Sequence, residues 1–298
     1  MLECVPNVAE GRDTLVLDAL SAACGSSLLD LHVDPDHHRS VFTLAGPAAC
    51  DAEAAIRRLA VSVAEHLDLA THAGVHPRVG ALDVVPFVAL EGTSTADAVD
   101  AARAFAAWAA EELEVPVFLY GDVDPRHRSL PDLRRDAFTA RAPDLGPLRP
   151  HPKLGAIAVG ARPVLVAVNC WLDRDDVALA RTIARSVRER DGGLAGVRAL
   201  GFRLASVGQA QVSMNLVDLD ATGLQRACDT VRAHARAHGA DVARVELVGL
   251  LPTSEYARCD DAFLEWSGIS ASQTIEARLR QERSERVRRR ATRDARQE

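Results

Sequence analysis

Two short stretches concentrate imidazole, carboxylate and guanidinium groups: Asp30-Leu-His32-Val-Asp34-Pro-Asp36-His37-His38-Arg39 and His72-Ala-Gly-Val-His76-Pro-Arg78. Histidine and aspartate at such spacing can ligate zinc or manganese. Here the metal reading is the weaker one. His72 and His76 stand at a helical i,i+4 spacing, but Gly74 and Pro77 argue against a helix between them. No H-E-x-x-H pattern occurs, and Arg39 and Arg78 would set positive charge beside a cation. Acid–base chemistry uses the same residues more economically. A histidine held by a turn beside Asp and Arg can move a proton near neutral pH and meet an anionic substrate. The run from His76 to Asp83 lies on a loop entering an expected strand, where scaffold-positioned catalytic groups often sit. On these residues alone, a solvated loop histidine with Pro and Gly shaping the turn is the plainer alternative.

Other chemistries find less support. There is no G-x-S-x-G, and Ser40 and Ser213 fall within expected strands. Cys4 is the one cysteine near a polar loop, and it reads as a buried structural thiol. Neither G-x-G-x-x-G nor G-x-x-x-x-G-K-[ST] is present, so a nucleotide-binding loop is unsupported.

The elements that must position these residues come in a repeated order. In the first half the pattern predicts a strand over Leu2–Val8, a helix over 13–23, and strands over 27–33 and 39–45. A helix over 53–67 carries Ile56, Leu59, Val63 and Leu67 on one face, and a strand follows over 81–90. Ser94-Thr-Ala-Asp97 resembles a capping box before an Ala-rich helix ending near Glu114, with a strand over 116–120. The segment 121–151 contains Pro125, Pro131, Pro143, Pro147 and Pro150 and reads as a long connection holding one short helix at most. The second half predicts strands over 164–172, 197–205, 211–219 and 242–251. Its helices fall over 175–188, with Leu179, Ile183 and Val187 in register, and 222–238, with Leu224, Cys228, Val231 and Ala235. Each half therefore reads β-α-β-β-α-β. The expected fold class is α/β (α+β): two ferredoxin-like subdomains with antiparallel-rich sheets and helices on one face. The element order, rather than any residue-level repeat, carries the duplication. The expected division is 1–160, 161–255 and a polar, Arg-rich tail over 256–298; residues 276–298 hold nine Arg against five Asp+Glu.

Composition narrows the class. The 298 residues include 35 Lys+Arg and 42 Asp+Glu, a net charge of −7, which argues against a nucleic-acid-coating surface. Aromatic residues at 4% are too few for a ferredoxin-like sheet that stacks RNA bases. No apolar run approaches a membrane span, and the first residues lack a signal-peptide pattern. Six cysteines without a C-x-x-C pair fit reduced thiols. A cytoplasmic enzyme is expected, with small-molecule substrates and no nucleic-acid or membrane partner.

Seven segments in order then point to a family. They are Glu3-Cys-Val-Pro-Asn-Val-Ala-Glu-Gly11, Arg39-Ser-Val-Phe-Thr-Leu-Ala-Gly46, His76-Pro-Arg-Val-Gly-Ala-Leu-Asp-Val-Val-Pro-Phe87, Val115-Pro-Val-Phe-Leu-Tyr-Gly121, Gly160-Ala-Arg162, Ala210-Gln-Val-Ser-Met-Asn215 and Leu247-Val-Gly-Leu-Leu-Pro252. From about residue 3 to 252 the chain resembles the formiminotransferase domain family, folate-dependent enzymes of histidine breakdown. The resemblance implies two α/β subdomains, a homodimer, and transfer of a formimino group from N-formimino-L-glutamate to N5 of tetrahydrofolate, which serves as cosubstrate, with no metal. It implies that His76 is the catalytic histidine. It also implies a folate-binding stretch formed by Gly146, Pro147, Leu148, Arg149, Pro150, His151, Pro152, Lys153, Leu154 and Gly155. The cyclodeaminase domain fused in some members has no room here.

The chain departs from that pattern in three places. The tryptophan expected near the end of the folate stretch is absent, His38 replaces the usual Asn, and the region leading to Gly146 is shorter. Arg149 and Lys153 are expected to meet folate carboxylates. Asp34, Asp36 and Asp83 are candidates to face the positively charged formimino group, and Arg39 and Arg78 to orient the substrate carboxylates. His72, outside the matched segments, is expected to matter little. The alternatives are a related formyl transferase with a different donor, or a non-catalytic ligand-binding ferredoxin-like module.

Overall fold

The computed structural model describes residues 1–72 and 78–294. The chain forms two compact units, Met1–Pro163 together with the chain from Gln281 onward, and Val164–Arg280.

The first unit holds β1 (Leu2–Cys4), β2 (Asn7–Val8), α1 (Thr14–Cys24), β3 (Leu28–Asp34), β4 (Arg39–Ala45), α2 (Ala49–His66) and β5 (Leu82–Ala89). It continues through α3 (Thr95–Glu112), β6 (Val117–Gly121), α4 (Leu130–Asp136) and β7 (Ile157–Ala161). The single strand expected over Leu2–Val8 is two pieces. Pro6 lacks an N–H, so the ladder breaks there, and the Pro6 carbonyl instead accepts the Phe42 amide at 3.0 Å. Counted as one broken strand, β1 and β2 lie between β4 and β5, with β3 outside β4. That is the expected β-α-β-β-α-β sheet.

Beyond β5 the sheet grows by two parallel strands, β7 and then β6. The strand β7 has no counterpart in the sequence pattern. It is a short run of small apolar residues buried on both faces, so it lacks the alternation that marks a half-buried strand. The helix α3 covers one face with Ala98, Ala102, Phe105, Ala106 and Ala109, and its capping box is present: the Ser94 amide donates to Asp97 Oδ2 at 2.7 Å. On the other face Leu133 of α4 packs with Val84, Phe118, Tyr120 and Ala158. The first unit thus adds a covered parallel edge to the ferredoxin-like plan.

The second unit holds β8 (Val166–Leu172), α5 (Val177–Val187), β9 (Val197–Leu204), β10 (Gln209–Leu216), α6 (Leu224–Ala237) and β11 (Val242–Val248). Its antiparallel sheet runs β11-β8-β10-β9, the ferredoxin-like order. The helix faces read from spacing are the buried ones: Leu179, Ile183 and Val187 on α5, and Leu224, Cys228, Val231 and Ala235 on α6. The apolar packing continues past residue 255. After α7 (Thr253–Tyr256) comes α8 (Asp261–Ser267), and Phe263 and Ile269 join the core beside β11. A final helix, α9 (Ile275–Asp294), starts with buried Ile275, and Glu276 accepts the Thr253 amide at 2.8 Å. Among the described residues no helix is long and apolar enough to cross a membrane.

Candidate active site

Because β2 runs antiparallel to β4 and β5, the end of β2, the end of β3 and the starts of β4, β5 and β7 meet at one end of the first sheet. The clustered polar residues gather there. At the start of β5, Asp83 is only 3% exposed. Its Oδ1 accepts the Val79 amide at 2.7 Å and its Oδ2 accepts Arg134 Nη2, from α4, at 2.5 Å. Such pairing is what allows a carboxylate to be buried. Arg39 opens β4 and donates from Nε to Asn7 Oδ1 at 3.0 Å. Desolvation pushes Arg39 down to about 10; Asp83 and Asp34 act against the fall, and the charges of Arg134 and Arg78 add to it. Desolvation likewise lowers Arg78, again opposed by Asp83. Arg39, Arg78 and Asp83 are therefore brought together, and Arg134 joins them.

Two glycines let the chain close over this point. A Cβ on Gly80 would approach the Ala156 carbonyl to 1.9 Å, and Gly155, at φ +72°, lies in the left-handed region. The two backbones touch as a bridge, which ties the start of β5 to the end of the 146–155 stretch.

Asp34 ends β3, and the turn to β4 carries Asp36, His37 and His38. The Asp34 carboxylate accepts the His37 amide at 2.8 Å and bonds the His37 ring Nδ1. Burial alone would raise Asp34, but these two bonds and the His37 charge hold it below its usual value. His38 sits at φ +49° and accepts the Gly11 amide at Nδ1, 3.2 Å away. Beside it the buried Glu10 takes three backbone amides on one oxygen, from Gly11, Arg12 and Asp13, at 2.7–2.9 Å. The His72 ring lies against that of His38, and Arg78 Nη1 donates to His72 Nε2 at 2.8 Å. His72 thus belongs to the cluster, although it lies outside the segments that carry the family resemblance and was expected to matter little.

The 146–155 stretch divides in two. Residues Gly146 to Pro150 are exposed, with Leu148 at 76%. From His151 the chain makes a turn closed by paired bonds between His151 and Gly155, both 2.8 Å, with the His151 ring accepting the Lys153 and Leu154 amides. Lys153 Nζ donates to the Ala64 carbonyl of α2 at 2.8 Å, so its ammonium serves the last turn of that helix. Pro150, His151, Pro152 and Gly155 line a cleft of about 430 Å³ together with Arg78 and Arg134. His76 lies outside the described residues. Sequence reasoning missed Arg134. It stands 51 positions from Asp83, beside Arg135 on a short helix, and only the fold brings it to the cleft.

Residues 1–162 match the formiminotransferase domain, N-terminal subdomain, and residues 167–280 match the formiminotransferase domain. The chain belongs to the formiminotransferase family. It is 36% identical to the glutamate formimidoyltransferase of Streptococcus pyogenes serotype M1, across 89% of this chain and 93% of that protein. Identity to the glutamate formimidoyltransferase of Thermoplasma acidophilum is 33%, across 94% and 97%. The formimidoyltransferase-cyclodeaminase of Mus musculus is 37% identical across 85% of this chain, which spans only half of that longer protein.

In this formiminotransferase the matched segments of the first unit supply adjacent parts of one sheet: β1 and β2 with Glu10, then β4, β5, the end of β7, and β6. The segments that carry the family likeness thus frame the polar end of the sheet. Among the described residues, no three His, Cys, Asp or Glu side chains gather in a way that could hold a metal ion.

Proposed function

We propose that the protein is a one-carbon group transferase that moves the formimino group of N-formimino-L-glutamate to N5 of tetrahydrofolate, a step of histidine degradation. The observation that carries this reading is the likeness to glutamate formimidoyltransferases across both subdomains, 36% identity over 89% of the chain. The enzyme works in the cytoplasm as a homodimer, with the reduced folate as cosubstrate and no metal.

The chemistry is attack by N5 on the amidine carbon, followed by collapse of the tetrahedral adduct. A C–N bond forms to the folate, and the bond from that carbon to the glutamate nitrogen breaks. N5 must lose a proton and the departing nitrogen must gain one. A single imidazole of near-neutral pKa can do both in turn, and His76, between the described ends at His72 and Arg78, is the residue assigned to it. The formimino group is cationic, and the carboxylate of Asp34, held ionised by its bonds to His37, suits it, together with the carboxylates of Asp36 in the adjoining turn and of Asp83 at the start of β5. Both substrates carry carboxylates, for which Arg39 and Arg78 are the partners. The stretch from Gly146 to Gly155 takes the folate.

The test is incubation with tetrahydrofolate and N-formimino-L-glutamate while following the 5-formimino product by absorbance. Turnover that needs both substrates is expected. Turnover with the formyl analogue alone would reassign the donor.

A further inference from the structure

Arg134 donates to the buried Asp83 with one nitrogen, yet its own Nε is buried with no hydrogen-bond partner among the described residues. Burying part of a guanidinium in that state is costly unless its remaining N–H groups meet an anion. The same side chain lines the cleft of about 430 Å³ at the start of β5, and Arg78 lines it too. His151 also lines the cleft but spends its Nδ1 on the Lys153 and Leu154 amides, so the two guanidiniums are the cationic forks that face an anion there. Val79, Ala137 and Phe138 are apolar, and Pro150 and Pro152 have no backbone N–H to offer. A carboxylate entering such a cleft is shed of water, and guanidinium forks match its two oxygens. Arg78 is aimed by His72, which accepts one of its N–H groups, and Arg134 is aimed by Asp83.

We propose that Arg134, together with Arg78, forms a carboxylate-binding subsite of this cleft, and that Asp83 is the positioning residue that presents Arg134 to it. This rests on the function proposed above only for the identity of the carboxylate, which belongs either to the glutamate moiety of the formimino donor or to the glutamyl tail of the folate.

The first experiment needs no turnover: calorimetric binding of glutarate and of its uncharged analogue glutaramide to the full chain. Glutarate should bind and glutaramide should not. In Arg134→Gln the glutarate affinity should fall about tenfold or more, the usual cost of losing a hydrogen bond to a charged group. Steady-state kinetics then identify the source. A rise in the KM of the formimino donor alone assigns the donor carboxylate, and a rise in the folate KM alone assigns the glutamyl tail; kcat should change by less than about threefold in either case. Arg134→Gln also leaves Asp83 short of a partner and can fail to fold. Arg134→Lys keeps the charge beside Asp83 and loses only the fork, so it should fold normally and still weaken glutarate several-fold. Glutarate that fails to bind the unaltered protein, or binds it and the folded variants equally, overturns the subsite. Glutarate binding in a protein without formimino transfer would instead overturn the proposed function and leave the subsite standing.

Discussion

The imidazole rings of His38 and His72 lie with centroids 4.1 Å apart and planes tilted by 33°. Burial lowers both from their usual value of 6.5. Arg12 and Arg78 lower His38 further against the opposing pull of Glu10, and His72 feels Arg78 and the His38 ring itself. The tilted pair beside Arg78 therefore disfavours the charged form of each ring.

That relationship sets a pH dependence of stability. In the folded chain the pair takes up protons at lower pH than in the unfolded chain. Once pH falls below 6.5, the unfolded state therefore binds more protons, and acidification favours it. The melting temperature should decline between about pH 7 and 5, well above the range where Asp34 is protonated. In the double variant His38→Gln, His72→Gln the decline over that interval should be shallower. Equal slopes for the two proteins would mean that the pair does not titrate there.

His76 should show its role in kcat. Positioned acid–base groups typically contribute about 10²–10⁴-fold, so His76→Ala should lower kcat by that order while leaving folate affinity within a few-fold. His72 is no control for this experiment, since it contacts Arg78. His66 is suitable: it is exposed at the end of α2 and, among the described residues, bonds only to Ser62 of its own helix. Steady-state rates of the two alanine variants decide it, and equal mildness would move the proton transfer to another group.

How much of this was legible before the fold is clear from four residues. Asp83 and Arg78 stand together in His76-Pro-Arg-Val-Gly-Ala-Leu-Asp83, so the sequence alone sets them on one loop and strand. Arg134 reaches Asp83 only because β6 lies two strands away and α4 returns across the sheet face, a path no local pattern encodes. His72 is drawn in by a turn, Leu69 to Thr71, that follows α2. Helices with a long apolar face, such as α5 and α6, were legible, whereas the short α8 with its buried Phe263 was not. Nor was the buried strand β7, with no polar face.

The second unit carries a structural test. Glu255 is 2% exposed, and its Oε1 accepts the Leu224 amide at 2.5 Å, capping α6 from a distant turn where Gly223 has no side chain to do so. Arg258 Nη1 lies 3.3 Å from its other oxygen. Glu255→Ala removes the cap and the negative charge at the helix start, and should destabilise the protein by about 1–2 kcal/mol. Urea unfolding of the full chain measures this. A loss below about 0.5 kcal/mol would show that water replaces the cap.

Folate binding separates Arg149 from Lys153. A ligand that binds only the folded state stabilises it by about 2.7 kcal/mol at 100 times its Kd, so tetrahydrofolate should raise the melting temperature. Arg149 is exposed on the outer half of the 146–155 stretch, whereas the Lys153 ammonium bonds the Ala64 carbonyl of α2. Arg149→Ala should leave the unliganded melting temperature unchanged and reduce the folate-induced rise, more so for a polyglutamylated folate. Lys153→Ala should lower the unliganded stability by about 0.5–1.5 kcal/mol, the usual worth of one hydrogen bond, before any effect on binding is seen. Thermal unfolding with and without ligand reads both variants at once. If Arg149→Ala left the rise intact and Lys153→Ala abolished it without changing the unliganded protein, the lysine would be the folate contact and its bond to α2 would have to break on binding.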